Sequence, residues 1–175
     1  MSGILPDRVD ALRFAQERVE MQGEIALSRL SRLVTQLRGE GEALVRLRFG
    51  VDERGQSFVT GELEAAVELT CQRCLQPVSV PLEVDFRLGM VKDDAQARGL
   101  DEGYEPVLLQ GPTLSLHEIV EDELLLALPP VPRHPTGECP AGEGTLRFGE
   151  LPEPDEETDN PFAVLRGLKG RGEGG

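Results

Sequence analysis

Three segments alternate apolar and polar residues with a period of two, and they constrain the fold more than any other feature of the chain. Ala43, Val45, Leu47, Phe49 and Val51 alternate with Leu44, Arg46 and Arg48. Leu63, Ala65, Val67 and Leu69 alternate with Glu62, Glu64, Ala66 and Glu68, and Val78, Val80, Leu82, Val84, Phe86, Leu88 and Met90 alternate with Ser79, Glu83, Asp85 and Arg87. Successive side chains of an extended chain point to opposite faces, so each segment offers one apolar face and one wet face. The short polar connections Asp52-Glu53-Arg54-Gly55 and Cys71-Gln72-Arg73-Cys74-Leu75-Gln76-Pro77 make the three an antiparallel meander. Pro81 has no N–H for a ladder, so the third strand is expected to be an edge or to bulge there.

Helical spacing flanks this sheet. Val9, Leu12, Ala15 and Val19 predict a short amphipathic helix over 7–18; residues 19–25 follow as a strand, and Ser28 is placed to cap a second helix running through Leu37. Residues 92–103 are polar and read as a loop, and Tyr104 to Gln110 as one more strand. Ser115-Leu116-His117-Glu118 has the spacing of a capping box and opens a helix with Leu116, Ile119, Val120, Leu124 and Ala127 on one face, ended by Pro129-Pro130. Glu121, Asp122 and Glu123 are read as its solvated side and His117 as a surface residue of its first turn. The expected fold is α+β: an antiparallel β meander packed by a long helix at about 116–128 and by N-terminal helices.

That core is expected to span residues 1–134. From 135 to 175 Gly, Pro and acids dominate, and a segment such as Glu153-Pro154-Asp155-Glu156-Glu157 is too hydrophilic to build a core. This part is expected to be mostly extended. Leu146-Arg147-Phe148 interrupts it, and Asn160-Pro161 opens a short docking helix at about 161–168 for this domain or a partner.

The net charge of −14 argues against the broad basic face that duplex binding requires. Its distribution is uneven: residues 1–50 hold eight Arg against seven acids, and residues 51–175 hold ten basic against twenty-five acidic side chains. Such a surface suits a basic partner, such as a ribosomal protein, or serves solubility. No signal-like N-terminus and no apolar run near the length of a membrane span is present in the sequence, so a cytoplasmic protein without a membrane role is expected.

Two of the three cysteines, Cys71 and Cys74, lie in the second turn of the meander. A two-residue gap lets both sulfurs face one centre, as in half of a tetrahedral zinc site. The other half is offered by His134 and Cys139, so that Cys71, Cys74, His134 and Cys139 would form a closed structural set with no position for substrate. Unliganded thiols and a redox pair remain the other readings. The latter fits poorly with a turn between strands, because thioredoxin-type pairs open a helix. A nucleophile with its base, a phosphate loop and a His-Glu-His helix are all absent from the sequence, which points away from an enzyme.

The motifs "CQRCLQP", "YEPV", "LHEIVEDELLLALPPVPRH" with the later Cys139, "FGELPE" and "NPFAVLRGLK" occur in an order that resembles the YceD family, the large ribosomal RNA subunit accumulation proteins of bacteria and plastids. The likeness runs from the N-terminal helix to Lys169. It implies a part in synthesis, processing or stability of 23S rRNA and so in biogenesis of the large subunit, but it supplies no enzyme activity and no catalytic residue. Three mechanisms follow as expectations: an assembly factor that binds a large-subunit ribosomal protein or the assembling particle, an RNA binder using Arg29, Arg32, Arg38, Arg46 and Arg48, or a zinc- or thiol-dependent enzyme built on the CxxC turn.

Overall fold

The computed structural model describes residues 2–142. The motif Leu146-Arg147-Phe148 and the docking helix expected at about 161–168 lie outside the described residues. In chain order the elements are β1 (Ser2–Ile4), β2 (Arg8–Asp10), α1 (Ala11–Glu17), β3 (Glu20–Ala26), a 3-10 turn (Leu27–Arg29), α2 (Ser31–Val34), β4 (Glu42–Val51), β5 (Ser57–Thr70), β6 (Pro77–Val91), α3 (Asp94–Arg98), β7 (Glu105–Leu108), β8 (Thr113–Ser115) and α4 (Leu116–Ala127). The fold is α+β, with a six-stranded sheet ordered β1-β3-β4-β5-β6-β7 and a two-stranded sheet of β2 and β8.

The meander is the centre of this sheet. β4 pairs antiparallel with β5, and β5 with β6, in unbroken register from Phe58↔Gly89 to Thr70↔Pro77. The register aligns Val45, Leu63 and Val84 in one row and Phe49, Val59 and Leu88 in another, so the apolar positions of all three strands share a face. That face is buried beneath α1 and α4, with α2 packed against α4, and Leu33, Leu116, Val120 and Leu124 are sealed in the same core. Burying each such side chain contributes roughly 1.5–3 kcal/mol, which is why a core with few aromatic rings suffices here.

Gly61 falls in the apolar row between Leu47 and Phe86, and the Phe86 ring lies over it. A methyl group at Gly61 would run into that ring, so Gly61→Ala is expected to destabilise the fold by about 1–3 kcal/mol. The urea midpoint reads this, and an unchanged midpoint would mean that Phe86 swings aside freely.

The sheet departs from a pure meander at both edges. β1 pairs parallel with β3, and β7 pairs parallel with β6 over Leu88–Val91 only. Pro81 lies opposite Ala66 without a bulge, on a stretch of β6 that is an edge, so its missing N–H is not needed. The polar stretch expected as a loop contains α3, capped by Asp93, whose carboxylate accepts from the N–H of Gln96. Leu100 packs over Gly89, and Arg87 stacks 4.2 Å from the Tyr104 ring while donating to its hydroxyl. These contacts tie the α3 connection to one end of the sheet.

The N-terminal helices are shorter than their spacing predicts. Val9 belongs to β2, and Asp10 caps α1 by accepting from the N–H of Arg13. The segment expected as a helix from Ser28 to Leu37 is a 3-10 turn followed by the single turn α2. Ser28 does not cap it. Glu121 of α4 does, accepting from the N–H groups of Arg32 (2.6 Å) and Leu33 (3.2 Å) and from Nε of Arg32. Glu121 is therefore buried and not part of a solvated face. His117 also differs from expectation: its side chain is only 12% exposed, with Nδ1 3.3 Å from Asp7.

Candidate metal centre

The β5–β6 turn is built around sulfur. The N–H of Cys71 donates to the carbonyl of Gln76 and that of Leu75 to the carbonyl of Cys71, closing a tight knuckle in which Leu75 takes a left-handed φ of 61°. The side chain of Leu75 stays exposed, so packing does not account for that conformation. What it achieves is to turn the N–H of Gln76 towards the Cys74 sulfur. The N–H of Gln72 donates to the carbonyl of Pro132 (2.8 Å), which pins the knuckle to the segment after α4.

That segment delivers His134 and Cys139. One ligand atom from each of Cys71, Cys74, His134 and Cys139 lies within 4.8 Å of all the others. Cys71 and Cys139 are buried within the hydrophobic core, and Cys74 packs against it. The His134 ring has Nε2 2.9 Å from the carbonyl oxygen of Pro77 and Nδ1 3.4 Å from Sγ of Cys74. A carbonyl only accepts, so Nε2 carries the proton. Nδ1 is left with its lone pair among the sulfurs, the arrangement by which second partners orient a ligating histidine.

Electrostatics sharpen the picture. Burial pushes the Cys71 thiol up, but the N–H groups of Cys74, Arg73 and His134, together with the His134 imidazole, outweigh it and bring Cys71 down to about 5. Cys74 moves the other way: burial raises it and the sulfurs of Cys71 and Cys139 raise it further against the Gln76 N–H. One thiolate is welcome in this cluster and further negative charge is not. A bound dication would remove that conflict, because it favours deprotonation of every coordinating thiol. The donor set therefore fits a metal of the zinc type, with three sulfurs and one imidazole.

The five arginines considered for RNA do not form one free patch. Arg32 pairs with Glu121 and Asp122, on the side of the sheet where α2 and α4 pack. Arg46 lies on the opposite, open face against Glu62 and Glu64, with Arg48 beside Glu20. Arg38 donates to the hydroxyl of Thr70. Among the described residues no helix is long and apolar enough to cross a membrane.

The family described as large ribosomal RNA subunit accumulation protein YceD matches residues 59–169, a span that contains all four metal-type donors. A large ribosomal RNA subunit accumulation protein YceD of Haemophilus influenzae is 38% identical over 167 residues, covering 94% of this chain and 96% of the relative. No solved structure matches the chain significantly.

Proposed function

The chain belongs to the YceD family of large ribosomal RNA subunit accumulation proteins, and on that premise we propose that it is a non-enzymatic factor in biogenesis of the large ribosomal subunit, acting in the cytoplasm. The observation that carries the reading is the 38% identity, over nearly the whole length of both chains, with a relative bearing that name. Its net charge of −14 supports action through a basic ribosomal protein or the assembling particle, and the pairing of Arg32, Arg46 and Arg48 with acids disfavours these arginines as a direct grip on rRNA.

In this reading Cys71, Cys74, His134 and Cys139 hold a structural zinc ion. When bound, it would neutralise the crowded thiolates and join the β5–β6 turn to the segment after α4. Its support is the mutual approach of the four donors and the tautomer that Pro77 imposes on His134. An enzyme using the same turn has less behind it. A thiol oxidoreductase needs an attacking sulfur that is both reachable and readily ionised, whereas Cys71 and Cys139 are buried and the partly exposed Cys74 has its thiol pushed up by burial and by the neighbouring sulfurs; a hydrolytic zinc needs a free coordination position, whereas four protein donors fill a tetrahedron.

Depleting the protein from cells is expected to lower large-subunit rRNA relative to small-subunit rRNA, measured by quantifying both species from the same extract. An unchanged ratio would remove the biogenesis reading.

A further inference from the structure

β6 is paired from Pro77 to Gly89 by β5 on one side, but on the other side β7 covers only Leu88–Val91. Ahead of that point, Val78 to Phe86 forms a strand edge without a backbone partner among the described residues. Parity tells which groups face outward. Opposed residues of an antiparallel pair alternate between bonded and non-bonded, and Pro81, opposite Ala66 in unbroken register, must be non-bonded. Ser79, Glu83 and Asp85 share its parity, so their N–H and C=O groups point to the free edge while their side chains stand on the open face of the sheet.

The open face supplies the second half of the argument. Across four strands the register aligns Glu24, Leu44, Glu64 and Glu83 in one row and Gln22, Arg46, Glu62 and Asp85 in the next. Glu64 thus faces Glu83, and Glu62 faces Asp85. Like charges directly opposed destabilise a sheet, and Arg46 alone bridges Glu62 and Glu64 while reaching neither Glu83 nor Asp85. A strand added beside β6 would contribute a fifth member to each row, two residues apart, next to those two carboxylates.

We propose that the free edge of β6 around Glu83 and Asp85 is a docking site for an extended, Lys/Arg-rich segment of a partner protein, which adds as a further strand with alternate cationic side chains on the open face. The backbone ladder gives affinity, and the two carboxylates select a cationic residue at every second position. Pro81 interrupts the ladder at its far end. The inference rests on the assembly-factor reading and adds the place and the chemistry of the contact.

The test uses the full chain and a short acetylated peptide alternating Lys and Thr, followed by amide exchange residue by residue. Slowed exchange at Glu83 and Asp85 is expected, weakening as salt is raised. The double variant E83K/D85K should bind this peptide at least about tenfold more weakly, and Glu83→Pro, in the same phase as Pro81, should abolish the ladder without unfolding the sheet. The proposal is overturned if the peptide protects no amide of β6, or if E83K/D85K binds as well as the parent. It is equally overturned if a Glu/Thr peptide or single-stranded RNA protects the same amides, or if residues 143–175 or a second copy already protect them in the free protein. In cells, E83K/D85K should reproduce the fall in large-subunit rRNA caused by depletion. A fall on depletion with none in the variant sinks the docking site alone, whereas no fall on depletion sinks the biogenesis reading and leaves the peptide measurement to decide the edge.

Discussion

Protein isolated under reducing conditions without chelator is expected to carry one zinc ion per chain, and Cys71→Ser is expected to lower its thermal midpoint by more than about 10 °C. The size of the effect follows from what Cys71 does. It is fully buried, and the N–H groups of Cys74, Arg73 and His134 stabilise its thiolate, so its replacement disturbs the knuckle and removes a metal donor together. A tight zinc chelator added to the unaltered protein should produce a fall of comparable size, because the energy of binding a structural metal is part of the folding energy.

The pattern across variants separates zinc from a set of unliganded thiols. Four donors acting as a unit predict similar losses for Cys71→Ser, Cys74→Ser, His134→Ala and Cys139→Ser, and a double variant hardly worse than a single one. Free thiols predict a graded series that follows burial, with partly buried Cys74 least affected. Elemental analysis with no metal, a midpoint indifferent to chelator and a graded series would together retire the metal and leave a packed thiol cluster.

What could be read from the chain without coordinates was decided by whether the information is local. The meander was legible because half-buried strands leave a period of two, and positions 43–51, 63–69 and 78–90 keep it without a break. α4 was legible because Ser115 and the Leu/Ile/Val spacing after it both say helix, and the Ser115 hydroxyl does accept from the N–H of Glu118. β7 was legible as a strand, expected over Tyr104 to Gln110 and found at Glu105–Leu108, but its parallel pairing with β6 was not, since periodicity gives a strand and not its partner; β1, β2 and β8 are too short to show a period at all. For α3 a signal existed in Asp93 followed by Gln96, but no apolar face accompanied it because the helix buries nothing. Cys71 and Cys74 announce themselves by spacing. His134 and Cys139 could be joined to them only by composition, and the approach of all four within 4.8 Å is a property of the fold.

Glu121 was misread for the same reason, and it carries the second large expected effect: Glu121→Ala should cost about 3 kcal/mol, seen as a shift of the urea midpoint. The loss is not chiefly that of an ion pair. Arg32 is about half exposed and keeps Asp122 as a second partner, so its guanidinium remains solvated and charge-balanced when Glu121 is removed. The N–H groups of Leu33 and Arg32 fare differently. They open the single turn α2, which has no cap of its own, and Leu33 is fully buried. Removing the carboxylate leaves both of them without their acceptor. Arg32→Ala, which keeps both backbone donors, should therefore be clearly milder than Glu121→Ala, and equal effects would show that the side-chain pair matters more than the cap. Acid provides an independent check. Burial alone would raise the Glu121 carboxyl, but Arg32 and the N–H groups of Leu33 and Arg32 hold it below the usual carboxylate range. A folded value below the unfolded one means that the stabilisation is complete above the unfolded value of about 4.3 and drains away as pH falls through the lower folded value. The gap in midpoint between the parent and Glu121→Gln should thus be widest near neutral pH and close as the solution is acidified into that window. A gap that stays constant throughout would mean that the buried group is not ionised in the folded protein.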